Sequence, residues 1–120
     1  SLIGSIEFKH TIKLLYIKNQ YFELTQYIKN LRKTNNTLND EQILIYSDAL
    51  YRLGNYSQAI VAINLLSQDY PLDEKYFTLA LYNKKLGNIK NALDLLKNLI
   101  SKYPNSEYIK LSKLQSKILK

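Results

Sequence analysis

The stretch Leu53-Gly54-Asn55-Tyr56 returns 33 residues later as Leu86-Gly87-Asn88-Ile89. The same offset carries Ala59 onto Ala92, Ile63 onto Leu96, Leu66 onto Leu99 and Tyr70-Pro71 onto Tyr103-Pro104. A single recurring glycine is chance, but several features held in one register define a repeat. Each unit reads as a helical hairpin. An apolar-periodic run ends at a Gly free to take positive φ, a second run starts at Tyr56 or Ile89, and a Pro stops it.

Working outward, Asn19-Gln20-Tyr21 stands where Gly54-Asn55-Tyr56 stands 35 residues later. Asn is the residue that best replaces Gly at positive φ, and Leu24, Ile28 and Leu31 align with Ala59, Ile63 and Leu66. Residues 5–38 are therefore expected to form a degenerate first repeat, with Ser5 capping a helix from Ile6 to about Lys18. That unit has Ile12 and Leu24 at the two small-residue positions and no closing Pro. A polar Thr34-Asn35-Asn36-Thr37 linker supplies its two extra residues. The second unit, residues 40–72, runs from Asp40 after Asn39 to the turn at Gly54 and back through Ala59, Ile63 and Leu66 to Tyr70. The third, residues 73–105, turns at Gly87 and returns through Ala92, Leu96 and Leu99 to Tyr103. Over residues 106–120 a seventh helix follows the Asn105-Ser106 capping pair. Its stripe of Tyr108, Leu111, Leu114 and Ile118 is expected to cover the third repeat, leaving Lys110, Lys113, Lys117 and Lys120 outside.

This pattern resembles the tetratricopeptide repeat, which sets a Leu-Gly-x-Tyr turn between two helices, a small residue three positions after the turn aromatic, and a Pro at the unit's end. On the residues, Gly54, Tyr56, Ala59, Pro71, Gly87, Ala92 and Pro104 carry the resemblance. It implies an all-α, right-handed solenoid of three helix-turn-helix units plus a capping helix, seven helices in one domain, that binds a partner and catalyses nothing. It also implies where to look. First helices of such units line a concave groove, which places Lys9, Lys13 and Tyr16, then Leu44, Asp48, Tyr51 and Arg52, then Phe77, Leu81 and Lys84 on the partner-binding surface. The Lys/Asn/Arg clamp by which some family members hold a chaperone's C-terminal carboxylate is missing. Lys13 stands where its Asn would be, and Glu74 and Thr78 take later basic positions, so a chaperone-tail receptor is not expected. The wording Tyr103-Pro104-Asn105-Ser106 is similar to repeats of bacterial cell-envelope proteins, which points to the periplasm, with the cytoplasm as alternative.

Composition narrows the remaining classes. At 120 residues and 46% hydrophobic content the chain can fold around its own core. It lacks Cys and Met and starts at Ser1, as a fragment or processed product would. No run reaches the roughly 18 apolar residues of a spanning helix, so a soluble chain is expected. Without Cys there is neither disulfide nor thiol nucleophile, and a lone His10 makes no zinc site or triad. The acidic pairs Asp40/Glu41 and Asp73/Glu74 sit at helix starts, where the helix dipole accounts for them. No glycine-rich phosphate loop exists, so no cofactor is implied.

The net charge of +7 is unevenly spread: +4 over residues 1–39, −3 over 40–72 and +6 over 73–120. Basic flanks suit a partner with an acidic surface. The 11 tyrosines beside lysine also suit an RNA-binding helical repeat, although Tyr46, Tyr56, Tyr70, Tyr76 and Tyr103 are taken by repeat packing. A membrane-surface adaptor using the basic last helix is the other alternative.

Overall fold

The computed structural model describes residues 2–119, with side chains from residue 6 onward. Among the described residues there are seven helices and no strand, so the all-α class and helix count stand as expected. The chain divides into two compact units, residues 1–66 and 67–120.

In the first unit α1 (Leu2–Ile17) and α2 (Tyr21–Lys33) form one hairpin, and α3 (Asp40–Arg52) and α4 (Tyr56–Ile63) the next. In the second, α5 (Leu72–Leu86) and α6 (Ile89–Lys102) form the hairpin and α7 (Ile109–Leu119) follows. Within each unit every helix packs on its neighbour in sequence, and α1 also touches α3. That is the packing habit of helical-repeat chains.

The three turns are made alike. Asn19, Gly54 and Gly87 take φ of 59, 82 and 91°, and the residue after each has φ −89° with ψ near 70°. In each, that next amide reaches back across the turn at 2.9 Å: Gln20 N–H to Leu15 O, Asn55 to Leu50 O, Asn88 to Asn83 O. The amide of the positive-φ residue bonds three residues back, to Tyr16, Tyr51 and Lys84. These two bonds satisfy carbonyls that the helix end leaves open, the Schellman arrangement. Asn19 thus does the work of the two glycines, and the degenerate first unit turns as the others do. Asn35, at φ 63°, ends α2 in the same manner, in a unit that has no closing Pro. Beyond the linker, Asn39 Oδ1 accepts from Gln42 N–H at 2.8 Å and Gln42 Oε1 accepts from Asn39 N–H at 3.0 Å, a reciprocal cap that starts α3.

The small-residue positions are at the centre of the packing. Ala59 and Ala92 are wholly buried, as are Ile28, Ile63 and Leu99. Ile12 and Leu24, the bulky residues at the first unit's small positions, are buried too.

Three expectations are corrected. α1 starts at Leu2, so Ser5 lies inside the helix rather than capping it at Ile6; its side chain lies outside the described residues. The second helix of the second repeat ends at Ile63 instead of continuing to Tyr70. Asn64 Nδ2 donates to Ile60 O at 3.1 Å, and Leu65 and Leu66 bond only three residues back. The physical reason lies one repeat on: Asp69 would put a carboxylate on the negative end of the helix where α6 has Lys102.

The third correction concerns α7. Its buried face is built on Ser112, fully enclosed, while Leu111, Leu114 and Ile118 are 49, 52 and 58% exposed. Of the stripe expected to cover the third repeat, Tyr108 packs inward and the other three face outward. The helix packs on α6, and side-chain contacts to α5 go with this rotation: Gln115 Oε1 accepts from Lys84 Nζ at 3.1 Å, and ahead of the helix Tyr108 packs its ring on Phe77 and Ser106 Oγ donates to Asp73 Oδ2 at 2.5 Å. Lys120, assigned above to the outer face, lies outside the described residues.

Candidate functional site

In the first unit the first helices α1 and α3 bring together most of the positions assigned to partner binding. Tyr16 OH donates to Asp48 Oδ2 at 2.6 Å, and Arg52 Nε donates to the same oxygen at 2.9 Å. The Arg52 guanidinium lies 5.3 Å from the centre of the Tyr21 ring, and Tyr21 meets Tyr16 edge-on at 6.2 Å. At the other end of this face Lys13 Nζ stands 3.4 Å from Glu41 Oε1. Tyr51 is half-buried and meets Tyr56 edge-on at 5.4 Å. Leu44 is half-buried. Lys9 is exposed, on the wall of a cleft of about 560 Å³ between α1 and the 35–39 linker, whose floor includes Phe8, Ile12 and Leu31.

The electrostatics follow from that geometry. Burial pushes the Tyr16 hydroxyl up to about 12, and the Asp48 carboxylate beside it adds to the rise. Tyr16 is therefore a fixed donor, Asp48 an acceptor already supplied from two sides, and the outer edges of Arg52 and Lys13 are open to solvent. An arrangement of two cations, each paired with its own carboxylate, beside edge-on phenol rings can grip a chain by charge and ring contact.

In the second unit Phe77 and Tyr108 pack with ring centres 5.2 Å apart, so Phe77 is half-buried against the turn that leads into α7. Burial raises the Tyr108 hydroxyl's pKa, helped by Glu74, Glu107 and Asp73 nearby. Leu81 is half-buried, and Lys84 is bonded to Gln115. The family-pattern residues do structural work: Gly54 and Gly87 hold the turns, Ala59 and Ala92 the crossings, and Tyr76 meets Tyr103 edge-on at 6.1 Å. Among the described residues no group of three or more His, Cys, Asp or Glu side chains is placed to hold a metal ion. No helix there is long and apolar enough to cross a membrane.

Sequence reasoning passed over Tyr21, Glu41, Tyr108 and Gln115, each of which partners an assigned residue. A signal existed. Tyr16 and Asp48 are 32 residues apart, and Phe77 and Tyr108, like Lys84 and Gln115, are 31 apart. First helices of successive hairpins lie side by side, so residues about one repeat apart are neighbours.

A repeated helix-turn-helix unit closed by one kind of turn places the chain in the helical-repeat class. Residues 76–106 match the tetratricopeptide repeat family, so the α5–α6 hairpin is a tetratricopeptide repeat, a unit of a generally non-catalytic protein-interaction fold. A comparison with curated proteins finds no match.

Proposed function

We propose that the chain is a non-catalytic adaptor that binds a partner protein or peptide through the exposed edges of its first helices. In the first unit this surface comprises Lys9, Lys13, Tyr16, Leu44, Asp48, Tyr51 and Arg52. In the second it comprises Phe77, Leu81 and Lys84. The partner presents an acidic surface.

The observation that carries this reading is the Tyr16–Asp48–Arg52–Tyr21 cluster. Arg52 is held in place by Asp48 and by the Tyr21 ring, yet it remains exposed. A cation held in one rotamer loses less entropy on binding than a free one, and Arg beside Tyr is the composition of interface anchors.

The test compares what wild type and Arg52→Ala capture from the source cell, followed by titration of the purified captured protein. The account expects that protein to bind wild type and to bind Arg52→Ala at least about tenfold more weakly, with melting unchanged. A captured protein that binds both alike would contradict it. Titrating a single-stranded RNA oligonucleotide in parallel addresses the RNA alternative, which expects binding that falls steeply with ionic strength.

A further inference from the structure

The outward face of α7 has an order that the fold does not use. Leu111, Leu114 and Ile118 recur at intervals of three and four, the a-d-a spacing of a coiled-coil seam, and all three are about half exposed. Lys110 and Lys117 immediately precede Leu111 and Ile118, which makes them the flanking g positions of that seam, and both are exposed. On the opposite flank Gln115 is bonded to Lys84 of α5 at 3.1 Å, so a cation stands on that side too. α7 is held in this rotation by Gln115 and the enclosed Ser112, and just ahead of it by the Tyr108 ring on Phe77, so the stripe cannot turn inward without breaking these contacts.

We propose that this face docks an amphipathic helix of a partner protein whose aliphatic seam is flanked by Glu or Asp. Charge complementarity selects that occupant. Seam-flanking lysines pair with carboxylates at the corresponding positions of the opposing helix, and that pairing sets partner choice. A second copy of the same face, packed antiparallel, would set lysine against lysine. A lipid surface is served by a broad apolar face with interfacial aromatics, whereas this seam is narrow and purely aliphatic. The site borders the first-helix surface proposed above at Lys84, which belongs to both, and otherwise stands without it.

The test titrates the whole chain with two synthetic helical peptides that share an Ile/Leu seam and carry either Glu or Lys at the flanking positions. The Glu peptide should shift the backbone amide resonances of Leu111, Leu114 and Ile118 saturably and bind at least about tenfold tighter than the Lys peptide. Leu114→Ser should remove that binding while leaving the helical circular dichroism intact. The double variant Lys110→Glu, Lys117→Glu should reverse the preference, and it decides the matter even if Leu114→Ser disturbs the fold. Equal binding of the two peptides, no binding, or resonance shifts that bypass α7 would overturn the proposal. So would Leu114-dependent adhesion to phosphatidylglycerol vesicles without peptide binding, or a Leu114-dependent dimer in sedimentation.

Discussion

At residue scale the turns are held by backbone geometry. A Cβ built on Gly54 or Gly87 would meet nothing within 4 Å, so the cost of a side chain there comes from the left-handed φ alone. Gly54→Ala should lose about 1 kcal/mol of stability. Gly54→Asn should lose less, because Asn19 already holds the same conformation at φ 59°; denaturant melts of the two variants check the order. Tyr16 gives a prediction with a pH sign. Its pKa is raised in the fold from 10.0 to about 12, so the stability its hydroxyl contributes is complete below 10 and is lost as pH rises through 12. Tyr16→Phe should therefore cost about 1 kcal/mol near neutral pH for the lost bond to Asp48. That gap between wild type and variant should close as pH climbs from 10 to about 12.

At the scale of the elements, the helix crossings depend on alanine. Ala59 and Ala92 are fully buried, so a Leu at either must displace packed neighbours and each substitution should cost about 1 to 3 kcal/mol by overpacking. Thermal melts that leave both variants unchanged would disprove the pairing of α3 with α4 and of α5 with α6. The hairpins were legible in the sequence because Gly54, Gly87, Asn19 and the two prolines punctuate them and because apolar spacing tracks the helical period. What was not legible depended on competition. Whether α4 continues past Ile63 turns on Asn64 and Asp69 against helix propagation, and an apolar pattern through Leu66 says nothing about either. The rotation of α7 was misread because an apolar stripe is ordinarily assigned inward, whereas Ser112, Gln115 and Tyr108 secure the helix through close approach and polar contacts. Of the candidate site, the positions on α1, α3 and α5 could be read from the repeat register. Their partners Tyr21, Glu41, Tyr108 and Gln115 are missed when that register only aligns hairpins and does not pair neighbouring helices, although Phe77–Tyr108 and Lys84–Gln115 each stand about one repeat apart.

For the whole molecule, the charge is set out as basic ends around an acidic middle, with a net +7. Charge of this kind raises encounter rates with an acidic partner more than it tightens the final complex. Association should slow as salt is raised while dissociation holds nearly constant, and stopped-flow kinetics at two ionic strengths separate the two. A change carried mainly by dissociation would place the lysines in desolvated contact instead. The central claim, that the first-helix faces bind while the buried crossings fold the chain, is tested most directly by measuring melting and partner binding together on Tyr51→Ala and Arg52→Ala. The account predicts that Arg52→Ala leaves stability within about 0.5 kcal/mol and that each variant weakens partner binding by about 2 kcal/mol per folded molecule. Variants that melt early yet bind normally once folded would show these side chains to be packing, and would contradict the claim.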